Sequence, residues 1–349
     1  MIARLLAAAV LTAAALTSCS GTQPSTPIVS WVEDEVSFDA DGLTLRGTYR
    51  HRDDRTPGPA ALLISESGRT DRNGDNNVAG PVGNMRQLAQ YLSDRGVSSL
   101  RYDKVGTGTT GLGPYADRPA DIGSAVYTGG ARAAVRFLAA QAGVDRISVY
   151  AVGEGAIHAM SLAGDTLADN TMPGAPQIHS LGLLQPLAAR YLDLISSRVN
   201  ADLAAAVRDG AKTQQQADAV RVAWRAAVDQ VRATDTVGPD LPDGLSAILN
   251  PGNARAVADA DRIDPAALAA RIPPGTPVLL TCSDSDGQAD CADMASLRDA
   301  LAHTELTVVE LSGVNHVLRD DPSDNVGNYA RPDPLSPQLT AALNQFVTE

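Results

Sequence analysis

Leu100-Arg101-Tyr102-Asp103-Lys104-Val105-Gly106-Thr107-Gly108 closes an apolar run that begins at Val97 and then turns abruptly polar and glycine-rich. A short apolar run ended by turn residues is how a buried parallel strand reads. The same pattern recurs at Ala60 to Ser65, Arg146 to Val152, Ser180 to Leu184, Pro277 to Cys282 and Glu305 to Leu311. Helical patterns lie between these runs, at Met85 to Asp94, Thr128 to Gln141 and Met294 to His303. Near the end Ser336 caps a helix with Pro337 at its first position, and Leu339, Leu343 and Phe346 form its apolar stripe. Upstream, Glu35 to Phe38 and Thr44 to Tyr49 flank the turn Asp39-Ala40-Asp41-Gly42 and read as a β-hairpin. The expectation is one α/β domain over residues 31–349, with an antiparallel start and then a doubly wound, mostly parallel sheet of about eight strands.

One stretch departs from this alternation. Ala189 to Asp209 and Thr213 to Arg232 read as two amphipathic helices separated by Gly210, the second with Val220, Trp224, Val228 and Val231 on one face. Placed between the Ser180 and Pro277 strands, they belong to an excursion over about residues 187–260. In such folds ligands bind at the carboxyl ends of the strands, so a helical lid is expected there; an embellishment packed on the side of the domain is the alternative.

The amino terminus speaks to location. Arg4 precedes an apolar run, Leu5 to Leu16, too short to span a bilayer comfortably, and the pattern is that of a signal peptide over residues 1–18. The run ends Leu16-Thr17-Ser18-Cys19, which resembles the lipobox of bacterial lipoproteins. That resemblance implies lipidation of Cys19 and retention in the cell envelope, at the outer face of the cytoplasmic membrane. An ordinary secretory signal is the alternative. Residues 19–30 then form the lipidated cysteine and a tether rich in Ser, Thr, Gly and Pro. Apart from Cys19 the chain has two cysteines, Cys282 and Cys291. In an oxidising compartment, with no histidine at metal-ligand spacing, they are expected to form a small-loop disulfide and not a metal site. The net charge of −13 disfavours a nucleic-acid partner that is held through phosphates.

The segment at Leu100 resembles the "RYDKRGxG" turn of α/β-hydrolases of the bacterial esterase and peptidase-like branch. Two further segments carry the resemblance: Ile64-Ser65-Glu66-Ser67-Gly68-Arg69-Thr70-Asp71-Arg72-Asn73-Gly74, similar to the oxyanion loop, and Gly313-Val314-Asn315-His316, similar to the catalytic-histidine loop. The likeness extends over residues 35–349. It implies a nucleophile at the strand-to-helix elbow Ala151-Val152-Gly153-Glu154-Gly155-Ala156, where relatives read Gly-His-Ser-Glu-Gly-Gly. Glu154 and Gly155 set the register, and Gly153 stands where the serine belongs. Ser148 is mid-strand and Ser161 two turns into the next helix, so neither replaces it. The resemblance further implies an acid at Asp286, with Asp284 and Asp290 as alternatives close in sequence, a catalytic His316, and oxyanion donors at the backbone N–H of Glu154 and near Glu66. Glu66 stands where relatives commonly carry glycine. Its carboxylate either points into the oxyanion hole or turns to solvent. The other histidines, His51, His158, His179 and His303, have no comparable context.

Two readings follow. The first is a lipid-anchored pseudoenzyme that binds an acyl or peptide-like envelope ligand. The second is a hydrolase that uses water activated by His316 and Asp286, or an unrecognised nucleophile. Neither requires a cofactor or a metal. Aromatic residues make up 4% of the chain, too few to favour a sugar-stacking platform.

Overall fold

Trp31–Ala40 (β1) and Leu43–Arg52 (β2) pair antiparallel across the expected turn, where Asp41 and Gly42 both take positive φ. β1 is longer than the hairpin pattern suggested, because its outer half carries exposed charges that carry no apolar signal. The structure, a computed structural model, describes residues 29–66, 68–168 and 176–347. Residues 1–18, Cys19 and most of the tether lie outside the described residues, so the signal-peptide and lipidation expectations find no structural counterpart here.

From β2 the sheet continues through Ser98–Asp103 (β4), Gly58–Ile64 (β3), Val144–Val152 (β5), Ile178–Leu184 (β6), Pro277–Ser283 (β7) and Glu305–Leu311 (β8), in the order β1-β2-β4-β3-β5-β6-β7-β8. β2 runs antiparallel to β4, and every pairing from β4 to β8 is parallel. This is the expected mixed sheet of eight strands. The crossover helices are Asn84–Ser93 (α1), Ser124–Ala139 (α2), Gly155–Ala168 (α3) and Ala295–Leu301 (α8), and Pro337–Val347 (α9) follows the last strand. Two apolar layers flank the sheet. One joins Leu62, Leu100, Val149 and Leu181 to α2 and α3, and the other joins Leu63, Tyr150, Val152 and Leu279 to α1 and α9. Alternating residues of one strand serve opposite layers, as the twofold period of a strand requires.

Between β6 and β7 lie Tyr191–Arg208 (α4), Gln214–Thr234 (α5), Ala254–Asp261 (α6) and Pro265–Ala269 (α7). α4 and α5 match the two amphipathic patterns, and Thr213 closes a capping box with Gln216 at the head of α5. α6 and α7 are too short and alanine-rich to have shown a period. The insertion has an apolar core of its own, in which Leu192, Val199 and Leu203 of α4 meet Val220, Trp224 and Val228 of α5. Buried Asp261 ties it together by accepting from Leu192 N at 2.8 Å and from Arg190 and Arg232.

Candidate active site

The loops at the carboxyl ends of β3, β4, β5, β7 and β8 meet, and charges in the motifs quoted above brace the first two. After β3, Arg72 is buried and donates to Asp103 at the end of β4, at 2.9 Å through its guanidinium and 2.9 Å through its backbone N–H. Asp103 also accepts from Thr109 N at 2.8 Å. Gly108 must be glycine, since a Cβ there would fall 2.2 Å from Asp103 Oδ2 and its φ is +43°. Lys104, buried one residue on, donates to the carbonyls of Ser65 and Glu66. Burial pushes its ammonium down to about 8. The motif at Leu100 therefore works as the brace of the loop that carries Glu66.

At the end of β5 the chain turns into α3 at Gly155, as the elbow register requires. Gly153 has φ +55°, the left-handed conformation that strains any residue with a side chain. A Cβ at this position would lie 2.8 Å from Glu66 Cγ and 2.9 Å from its Oε1. Glu66 thus turns inward, and its carboxylate fills the space that a side chain at the elbow would occupy. Ser148 pairs with Ser180 inside the sheet, and Ser161 bonds Ile157 O within α3, so neither hydroxyl reaches the elbow.

The acid loop follows β7. Asp286 is buried, accepts from Gln288 N at 2.8 Å and Ala289 N at 3.1 Å, and receives His316 Nδ1–H at 2.8 Å. Asp284 is exposed and bonds Ser312 and Gly313 N, while Asp290 caps the turn after it through Ala292 N. Of the three carboxylates, Asp286 is the one brought to His316. Cys282 and Cys291 are joined as expected, with S–S 2.08 Å, and bracket this loop. Asp324, which no sequence signal marked, links the two loops. It accepts Gly287 N and His316 N, each at 3.0 Å, and Tyr329 Oη–H at 2.5 Å.

His316 is fully buried between two carboxylates. Its Nε2 lies 3.0 Å from Glu66 Oε2, ion-pair length, with the carboxylate off the axis of the ring N–H. Burial acts to lower the imidazolium's affinity for its proton, but the charges of Glu66 and Asp286 outweigh it and raise it well above 6.5. Glu154, beside the elbow, is shifted the other way: burial raises its carboxyl, Lys104 partly offsets this, and Glu66 adds to it. His158 is buried behind the elbow against Thr128 and pushed down to about 3, so it stays neutral.

A cavity of about 420 Å³ opens over Glu66 and His316, lined also by Arg69, Val152, Gln288 and Tyr329. Val78 and Val326 stand at it with 85% and 43% of their surface exposed, two of only four large hydrophobics so exposed among the described residues. Gln288 also lines a second cavity, of about 340 Å³, between the acid loop and α4, where Tyr191, Leu194 and Ile195 form the opposite wall. α4 therefore stands beside the site. A larger space, about 650 Å³, lies at the amino ends of β5, β6 and β7, away from all of these groups.

The mixed eight-stranded sheet, the elbow and the order of loops define an α/β-hydrolase fold. Among solved structures the chain is similar to the esterase Est1E of Butyrivibrio proteoclasticus, at 14% identity and TM-score 0.52, over 90% of this chain and 97% of that one. It is also similar to the Pyrococcus furiosus esterase Pf2001, at 14% identity and TM-score 0.54, over 91% of both chains. For a dienelactone hydrolase of Anabaena variabilis the figures are 12% identity and TM-score 0.50, over 91% of this chain and 97% of that one. No protein-family model matches the chain, and no curated protein matches it by sequence.

Proposed function

We propose that the protein is a lipid-anchored component of the cell envelope that binds a ligand with an acyl or peptide-like part over the Glu66–His316–Asp286 array, and that it carries out no serine-dependent acyl transfer. With respect to serine hydrolysis it is a pseudoenzyme. The observation that carries this reading is the carboxylate of Glu66 in the nucleophile's place at Gly153, 3.0 Å from His316 Nε2. Loss of the nucleophile removes on the order of a millionfold in turnover from a serine hydrolase. Two flanking carboxylates raise the ring's affinity for its proton and make it a poor base for activating water, which weighs against the His316–Asp286 water route and leaves an unrecognised nucleophile to the labelling test. The exposed valines at the cavity and the apolar wall of α4 favour a ligand with an apolar part.

The test has two arms. Purified full-length protein should show no stoichiometric labelling by a fluorophosphonate, and native mass spectrometry of protein extracted gently from membranes should show a bound small molecule. Stoichiometric labelling of the wild type at a serine would refute the absence of acyl transfer. Consistently ligand-free protein would refute the binding role.

A further inference from the structure

His316 Nε2 is a buried donor for which the described residues supply no aligned acceptor, at the base of a cavity. Buried polar groups are nearly always satisfied, and those that are not mark strain or a place for a ligand atom. The second oddity is Glu66, whose carboxylate stands beside that same nitrogen, in space that exists only because residue 153 has no side chain. Taken together, Glu66 and Gly153 share one space: with no side chain at the elbow, the Glu66 carboxylate stands where one would be.

We propose that Glu66 acts as a general base and His316 as a general acid in the hydrolysis of a carboxylic ester or amide by direct attack of water, with no covalent enzyme intermediate. This rests on the reading that ligand sits in the cavity above His316 and adds a reaction to it. The roles are reversed from those of a serine hydrolase, in which the histidine starts neutral and takes a proton.

The atoms balance as follows. Water bonds through its oxygen to the carbonyl carbon, gives a proton to the Glu66 carboxylate, and moves the carbonyl π pair onto oxygen. As the tetrahedral species collapses, the bond to the leaving oxygen or nitrogen breaks, and that atom takes the Nε2 proton of His316. The product is a carboxylic acid, which ionises to solvent, and an alcohol or amine. Glu66 is now protonated and His316 neutral at Nε2. The proton crosses the 3.0 Å between Oε2 and Nε2 and restores both. Asp286 holds Nδ1–H throughout and keeps the ring in place. A general base of this kind contributes about 10² to 10⁴ in rate, so the enzyme is slow beside a serine hydrolase.

The probes are p-nitrophenyl butyrate and N-acetyl-alanine p-nitroanilide, with the full-length protein. Expected are hydrolysis of at least one probe without a burst, no inhibition by a fluorophosphonate, and no acyl adduct in the intact mass. Glu66→Gln keeps the shape and removes the base, so the rate should fall about 10²- to 10⁴-fold. Glu66→Asp, which keeps a carboxylate, should retain part of it and guards against a folding artefact. A burst with an acyl adduct overturns the proposal, as does equal hydrolysis by wild type and Glu66→Gln, including equality at background. Ligand retention is read on the same samples by native mass spectrometry. Ligand held by both forms with no Glu66-dependent turnover sinks the reaction alone, whereas ligand held by neither sinks the binding role.

Discussion

Placing a serine at the elbow tests the claim that Glu66 and Gly153 share one space. In Gly153→Ser the new Cβ must fit 2.8 Å from Glu66 Cγ and 2.9 Å from Oε1, contacts that real Cβ atoms do not make. Glu66 must therefore leave its place against His316, or the serine must not settle. The backbone adds to this, since a residue with a side chain at φ +55° costs about 1–3 kcal/mol over glycine. At about 2–4 °C per kcal/mol for a large domain, the single variant should melt some 2–12 °C below wild type. It should also stay unlabelled by a fluorophosphonate. In Gly153→Ser/Glu66→Gly the clash is gone, and His316 loses one of its two counter-charges. Its proton affinity then falls, and the ring becomes free to take the serine proton while Asp286 still holds Nδ1.

The double variant should label with a fluorophosphonate, hydrolyse p-nitrophenyl butyrate with a burst, and lose both properties when His316→Ala is added. A gain of about 10²-fold or more over wild type is expected, a small part of the millionfold that a complete triad provides. Labelling of the single variant as complete as that of the double would show that Glu66 is no obstacle and refute the shared-space argument. A double variant that folds and stays inert would show that more of the machinery than the nucleophile has gone.

The other predictions bear on the frame around the site. In a histidine NMR titration, one of the five imidazoles, His316, should stay protonated well above pH 6.5, and another, His158, should stay neutral down to about pH 3. By linkage, the stability from His316 is present below 6.5 and lost as pH rises through its raised value. That from neutral His158 is present above 6.5 and lost as pH falls toward 3. Glu66→Gln should lower the His316 midpoint, and an unchanged midpoint would contradict the ion pair. Reduction of Cys282–Cys291 should cost about 2–3 kcal/mol in a chemical melt and loosen the Asp286 loop, seen as faster amide exchange at Gln288 and Ala289. Arg72→Met leaves Asp103 buried without its partner and should cost about 3–5 kcal/mol in the same melt. Cys19→Ala should move the protein out of the membrane fraction or leave it unprocessed, and a matured, lipid-labelled variant would end the lipoprotein reading.

Much of this was open to a reading of residues, and the parts that were not share a cause. The strands showed because a buried parallel strand must be apolar along its length, as Leu62, Val149 and Leu181 are. The insertion's long helices α4 and α5 showed because each has one apolar face. α6 and α7 did not, since eight and five residues are too few to establish a period. The elbow, the histidine and Asp286 were legible because local sequence fixes each loop. What was hidden is what depends on two loops meeting. Asp324 holds the acid and histidine loops together from a stretch with no pattern, and Lys104 braces carbonyls that lie far away in sequence. Glu66 is the sharpest case. In sequence it and Gly153 are two separate departures, and separate departures argue for decay. In space the Glu66 carboxylate occupies the room that Gly153 leaves and faces the buried Nε2 of a histidine still held by its acid. His316 and Asp286 are buried together with the partly exposed Glu66 against the ring, and buried charges are costly to remove from water unless paired. The one imidazolium has a carboxylate on either side, so the array is held by charge pairing in the room that Gly153 leaves.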